Sequence, residues 1–172
     1  MTYFQNFLTT LLLFQCYQSF PGALAGFEET LVAFEPSIGA IEIQDAVILR
    51  DDSDPFGIAI AAGSLADDFE QITGTRPSVR AWAGDNSTTS QVKNASKSAI
   101  IAATVDSPLL RQLESSRKLN LSSIRGKWET FETTLVRQPL PGIHNALVIA
   151  GSDMRAVIFG IFTLSEQSGQ SP

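Results

Sequence analysis

The stretch that decides the fold class is Ser98-Ala99-Ile100-Ile101-Ala102-Ala103-Thr104. It is almost continuously apolar, which is typical of a strand whose two faces are both covered. A second run of this kind, Ala146-Leu147-Val148-Ile149-Ala150, leads into the turn Gly151-Ser152-Asp153. Helical patterns follow both runs. The sequence therefore predicts a mixed β-sheet covered by helices, an α/β (α+β) fold in a single layered domain.

Three segments around these strands have helical features. The first carries an apolar stripe at helical spacing, formed by Ile58, Ala62, Leu65, Phe69 and Ile72. The second begins with Ser107-Pro108, a capping hydroxyl followed by a proline at the first helical position. The third is predicted over 154–167, with a core stripe of Val157, Ile161 and Leu164. Shorter runs predict strands at 34–36, 38–43, 46–49, 79–82 and 128–133.

Composition excludes several classes of protein. The 172 residues are 44% hydrophobic and 17% charged, so the chain can bury the core of one domain. Twelve Lys and Arg against 18 Asp and Glu leave a net charge of −6 at pH 7. A negative surface repels phosphate groups, and we therefore expect no nucleic-acid partner and no membrane partner.

The first 25 residues contain no charged side chain. The apolar run 7–14, followed by Ala23-Leu24-Ala25, predicts a signal peptide over 1–25, a mature domain over 26–172 and a secreted, extracellular protein. The alternative is an N-terminal helix packed on the domain. Cleavage after Ala25 would remove Cys16, which is the only cysteine, so the mature domain would contain no disulfide.

Three Asn-x-Ser/Thr triplets occur in polar stretches, at Asn86, Asn94 and Asn120. Together with a signal peptide they predict a glycoprotein that carries N-linked glycans at these asparagines. The alternative is that all three are unmodified loop residues.

No complete catalytic, cofactor or metal constellation is found. The carboxylate groups Asp51/Asp52/Asp54 and Asp67/Asp68/Glu70 fit a proline turn and a solvated helix face better than an acid–base pair or a cation site. The single histidine, His144, cannot form an ordinary zinc site alone. The turn Gly151-Ser152-Asp153 could offer backbone N–H groups to an anion, but the Asp153 carboxylate would repel it.

From Gly126 onward the sequence resembles glycoside hydrolase family 115, the xylan α-1,2-glucuronidases. The resemblance is carried by Gly126-Lys127-Trp128-Glu129, Pro139-Leu140-Pro141-Gly142, 146–155 and, most specifically, the block from Gly151 to Pro172. The helix containing Leu65-Ala66-Asp67-Asp68-Phe69 is also similar to the first helix of that family's N-terminal domain. Arg155-Ala156 and Phe159-Gly160 depart from the family pattern, which has Arg-Gly and Tyr-Gly there.

This resemblance implies a zinc-free α/β accessory domain that precedes a (β/α)-barrel carrying the catalytic carboxylates. The chain stops at Pro172, before that barrel, so no catalytic residue of the family has a position here. The resemblance also implies that the last helix packs against the barrel. We expect Ser152, Asp153, Arg155, Gly160 and Glu166 to lie near that interface.

Two functions follow as hypotheses. The first is the non-catalytic N-terminal domain of a secreted, inverting α-glucuronidase that removes (4-O-methyl)glucuronic acid side chains from xylan or glucuronoxylan, a fragment inactive alone. The second is a stand-alone secreted glycan-binding or interaction module.

Overall fold

A computed structural model describes residues 46–84 and 98–169 of the chain. The predicted signal peptide, the predicted strands at 34–36 and 38–43, and the sequons at Asn86 and Asn94 lie outside these ranges. The described elements are the strands β1 (Val47–Asp51), β2 (Val79–Trp82), β3 (Ser98–Thr104), β4 (Phe131–Arg137) and β5 (Asn145–Gly151), with the helices α1 (Phe56–Thr73), α2 (Pro108–Ser115) and α3 (Met154–Gly169).

The five strands form one mixed sheet in the order β2-β1-β3-β5-β4. β1 pairs in parallel with β2 and β3, and β3 pairs in parallel with β5. β4 runs antiparallel to β5 at the edge of the sheet. The predicted α/β fold class is confirmed.

The alternation of side chains in β3 divides the core between the two faces of the sheet. Ile100 and Ala102 pack beneath α1 and α3, whereas Ala99, Ile101 and Ala103 pack beneath α2 and the loop that follows it. All five are buried. Because β3 is central and covered on both sides, its five inner positions, 99–103, are all apolar, and polar side chains occur only at its two ends.

The start of α2 and the C-terminus of α1 form as their sequences predict. The Ser107 hydroxyl accepts the Leu110 N–H at 3.2 Å, while Leu109 and Leu113 are buried. α1 ends at Gly74, whose φ of 74° lets its N–H reach the Glu70 carbonyl at 2.8 Å. Of the described helices, none is long and apolar enough to span a bilayer.

Two details of the sequence prediction are wrong. Ile72, predicted to lie in the core stripe of α1, is exposed near the end of that helix. The edge strand begins at Phe131, three residues later than predicted, because the backbone of 128–130 turns and is bound by the β5–α3 connection.

Candidate functional site: the carboxyl edge of the sheet

The order of the strands reverses between β1 and β3, since β2 follows β1 on one side and β3 lies on the other. In open α/β sheets, ligands bind outside the carboxyl ends of the strands at such a reversal. The residues at these two strand ends are therefore the first candidates for a functional site.

Two aspartates lie at the carboxyl ends of β1 and β3. Asp51, at the end of β1, is 2% exposed, and its Oδ2 accepts the buried Leu109 N–H at 2.8 Å. Its Oδ1 accepts from the backbone N–H and the hydroxyl of Ser53, at 2.9 and 2.6 Å. Asp54 accepts the hydroxyl of Thr104 at 2.6 Å and the Thr104 N–H at 3.1 Å.

These contacts show that both carboxylates connect elements of the fold. Asp51 holds the start of α2 against β1, and Asp54 joins the β1–α1 turn to the end of β3. Burial raises the pKa of Asp54, while the bonds from Thr104 oppose that shift. A carboxylate whose oxygens already accept these donors is poorly placed to bind a cation or to transfer a proton to substrate.

The second candidate is the turn between β5 and α3. Asp153 Oδ1 accepts the Ala156 N–H at 2.9 Å, which caps α3, and Oδ2 accepts the Glu129 N–H at 2.8 Å. Ser152 exchanges two bonds with Thr130, donating its N–H to the carbonyl at 2.9 Å and accepting the Thr130 N–H on its hydroxyl at 3.0 Å. The bonds from Ala156 and Glu129 lower the pKa of Asp153.

A carboxylate of the same chain, that of Asp153, thus occupies the N-terminus of α3. The Asp153 carboxylate occupies the place where a bound anion would accept backbone N–H groups. From this position the carboxylate would repel an anion, as expected from the sequence. Sequence reasoning missed that Ser152 and Asp153 also fix the loop before β4, since Thr130 and Glu129 lie more than 20 residues earlier.

The structure separates the five residues predicted to face a following domain. Ser152 and Asp153 are engaged in the turn, whereas Arg155 and Glu166 are exposed on α3. Gly160 is buried, and a Cβ built there would lie 2.4 Å from Ile149 Cγ2. The close approach at Gly160 is therefore made by α3 to its own sheet. An interface with a following domain at the five positions stays a prediction.

The other candidate groups have ordinary surroundings. Arg76 bonds to Asp67 at 2.7 Å and lies 3.8 Å from Glu70, and Ser165 donates a hydrogen bond to Asp68. His144 is exposed at the entry to β5. Within 46–84 and 98–169, no group of three or more His, Cys, Asp or Glu side chains is placed to hold a metal ion.

Asn120 is exposed, and its Oδ1 accepts the Ser122 N–H at 3.1 Å. It lines an open pocket of about 620 Å³ with Glu114, Arg117, Lys118, Leu119 and Thr134. Two of the charged lining groups already have partners. Glu114 is bonded to Arg125 at 2.6 Å, and the Lys118 ammonium donates to the carbonyls of Gln138 and Pro139. The Glu114 carboxylate is thereby paired with a cation, whereas the Lys118 ammonium is bonded to neutral carbonyls and keeps its charge beside Arg117.

The described residues form an α/β domain in which the side chains and backbone at the carboxyl ends of β1, β3 and β5 are bonded to other groups of the domain. No family model matches the chain, and no curated protein matches it. Among solved structures, the chain is similar to a family GH115 4-O-methyl-α-glucuronidase with specificity for decorated arabinogalactans. The TM-score is 0.53 at 20% identity, and the match covers 74% of this chain and 14% of that enzyme's chain. The likeness establishes the fold, and the chain spans about one seventh of the length of that enzyme.

Proposed function

We propose that this chain is a non-catalytic α/β domain of a secreted glycoside hydrolase that removes 4-O-methylglucuronic acid side chains from xylan or glucuronoxylan. One observation carries the proposal: the fold match takes in most of this chain and a small part of a glucuronidase. A domain that accounts for so small a share of an enzyme leaves most of its chain for the catalytic machinery.

The chemistry at the carboxyl edge supports an inactive domain. Inverting glycosidases need two carboxyl groups on opposite sides of the scissile bond, about 6.5–9.5 Å apart, with one free to accept a proton from water. The buried carboxylate of Asp51 accepts hydrogen bonds from Leu109 and Ser53, and the half-buried carboxylate of Asp54 accepts them from Thr104. In this proposal, the bond-breaking carboxylates belong to a following barrel domain.

The experiment measures release of 4-O-methylglucuronic acid by the purified chain. Because the structural neighbour is specific for decorated arabinogalactans, that polysaccharide is tested beside glucuronoxylan, with a full-length glucuronidase as the positive control. We expect no release from either substrate. Release that disappears in Asp54→Asn would place the active site in this chain and contradict the proposal.

Transcript sequencing through the codon of Pro172 tests whether this chain is part of a longer enzyme. We expect the reading frame to continue into a region rich in tryptophan and tyrosine. An in-frame stop codon directly after Pro172, together with an intact mass of the secreted protein that matches the short chain, would contradict it.

A specific observation favours the stand-alone glycan-binding module as a second candidate. Trp128 is 80% exposed, and Ser152 and Asp153 hold the backbone of the loop that carries it. Exposed, rigidly held aromatic rings suit the apolar faces of sugars. Affinity electrophoresis in glucuronoxylan decides this candidate: retardation that is lost in Trp128→Ala and kept in the control Phe56→Ala supports it, and unretarded migration rejects it.

A further inference from the structure

The outer face of α3 carries an unusual stripe. Arg155, Phe159, Phe162 and Glu166 are separated by four, three and four residues, so they lie on one side of the helix. All four are exposed, and the two phenylalanines are 44% and 50% accessible. The opposite side of α3 is fully used, since Val157, Ile161 and Leu164 pack on the sheet. The stripe therefore lies outside the domain's own core.

α1 extends the same surface. The two helices lie side by side, because a Cβ at Gly57 would touch the Met154 sulfur at 3.0 Å and Ser165 bonds to Asp68. Gly57 and Asp68 lie on the side of α1 that faces α3, and Ile58 faces the sheet. Phe56 and Ile60 therefore point away from the sheet, in the same direction as the stripe of α3. They are 76% and 60% exposed. Four large apolar side chains on two adjacent helices are more than scattered surface residues.

The order of the α3 stripe is complementary to itself. When two copies of α3 lie antiparallel about a two-fold axis between Phe159 and Phe162, Phe159 of one copy faces Phe162 of the other. The same rotation sets Arg155 opposite Glu166 at both ends of the contact. A two-fold interface requires a patch that matches its own copy, and the spacing of four, three and four residues is that of helix pairs that pack along a seam.

The Arg155 guanidinium has one ion-pair partner in its own chain and keeps donors for a second. The Arg155 guanidinium has five N–H donors, and its contact with Glu129 is an NH1–Oε1 distance of 2.8 Å. It also lies 5.9 Å from the centre of the Phe159 ring, at the border of the apolar pair. One guanidinium can bind Glu129 and a second carboxylate together.

We propose that the outer face of α1 and α3 binds a second copy of this chain, with the two α3 helices antiparallel. The occupant follows from the charge complementarity of the stripe with itself. The inference does not depend on the proposed function, and it competes with the predicted interface with a following domain for Arg155 and Glu166. α3 is 16 residues long, about 24 Å, and two helices about 10 Å apart give a face of roughly 500 Å². An interface of this size is at the small end for specific complexes, so we expect a dissociation constant on the order of 10 µM.

Charge reversal tests the antiparallel contact. Arg155→Glu places two Glu–Glu pairs in the dimer, and Glu166→Arg places two Arg–Arg pairs there. Each single variant of the full chain is expected to weaken dimerisation by more than about tenfold, measured by sedimentation equilibrium. Leu135→Ser, which shortens a 49%-exposed side chain on β4, is the matched control and should dimerise like the original chain.

Mixing the two single variants is the decisive measurement. In the mixed dimer, the two substituted side chains face each other at one end, a new carboxylate opposite a new guanidinium. At the other end the original Arg155 of one variant faces the original Glu166 of the other, so both pairs are matched again. We expect a heterodimer with a dissociation constant within about threefold of the original, detected with one variant fluorescently labelled. Circular dichroism melting of each variant confirms that it is folded.

Three outcomes would overturn the proposal. The first is a monomer at all concentrations up to several hundred micromolar, which would leave this face to another occupant such as a following domain. The second is self-association unchanged by either charge reversal. The third is a mixture of folded variants that associates no better than each variant alone.

Discussion

Two turns at the carboxyl edge of the sheet are both built on aspartate, and they use it differently. In the β1–α1 turn, Asp51 and Asp54 bind other elements, the start of α2 and the end of β3, about 50 residues further along the chain. In the β5–α3 turn, Asp153 caps the helix that begins beside it and binds one backbone N–H of the preceding loop. The first turn joins elements 50 to 58 residues apart, whereas the second caps its own helix and binds a loop 24 residues earlier.

The two environments shift the carboxyl pKa in opposite directions. Burial is the largest influence on Asp54 and raises its pKa, although Thr104 donates two hydrogen bonds to it. Backbone N–H groups are the largest influence on Asp153 and lower its pKa by stabilising the carboxylate, while the loss of water opposes them only weakly. Hydrogen bonds of similar length therefore do not determine the protonation of an aspartate; the balance between donors and lost water does.

The largest expected effect is at Asp51. Asp51→Ala removes the acceptor of the buried Leu109 N–H and of two Ser53 donors. A buried donor without a partner is costly, so we expect the free energy of unfolding to fall by about 3 kcal/mol in urea titrations. The control is Asp52→Ala, an exposed neighbour 3.5 Å from Arg50, which should change it by less than about 0.5 kcal/mol. Equal losses in the two variants would contradict the role assigned to Asp51.

A smaller effect is expected at Asp153. Asp153→Ala removes the cap of α3 and the acceptor for Glu129, two hydrogen bonds that are only partly buried, whereas the bond from Leu109 to Asp51 is buried. We expect a loss of about 1 kcal/mol, typical of an N-cap replaced by alanine. Asp153→Asn keeps an oxygen for the Ala156 N–H and should lose less. A loss as large as that of Asp51→Ala would remove the distinction between the two turns.

The smallest effect, and the most direct test of the comparison, is the pH dependence. The pKa of Asp54 is raised in the folded state, so the stability it contributes is present below its ordinary value of 3.8 and is lost as pH rises through the folded pKa. The pKa of Asp153 is lowered, so its contribution is present above 3.8 and is lost as pH falls through its folded pKa.

Urea unfolding between pH 3 and 6 measures both signs. With rising pH, the unfolding free energy of the original chain minus that of Asp54→Asn should decrease. The unfolding free energy of the original chain minus that of Asp153→Asn should increase. Parallel curves for the two variants would show that both aspartates have the same environment.

The sequence predicts β2 and β3 residue for residue, because their apolar content and flanking turns are local features. It places β4 three residues too early. The alternation of Trp128, Glu129 and Thr130 looks like a strand, but Ser152 and Asp153 bind their backbone as a turn, and Glu129 takes a φ of 48°. The conformation of residues 128–130 therefore depends on residues more than 20 positions away, which a local sequence pattern does not include.

The same limit applies to the candidate site. The sequence places Asp51 and Asp54 in a proline turn, but it does not reveal that Asp51 binds an N–H 58 residues further on. The capping hydroxyl of Ser107 is predictable because its acceptor and donor lie three residues apart. Sequence reasoning identified the chemical groups and missed their partners.

The pairing of β3 has a consequence for synthesis on the ribosome. Ile100 pairs with Ile48 on one side and with Leu147 on the other, and both partners lie about 50 residues away along the chain. The pairing of β3 cannot be completed until β5 has left the exit tunnel, and the face under α1 is not fully covered until α3 follows. During translation the nascent chain therefore exposes apolar side chains of β3 while the roughly 50 residues from β3 to β5 are made, and chaperone contact should be strongest in that interval.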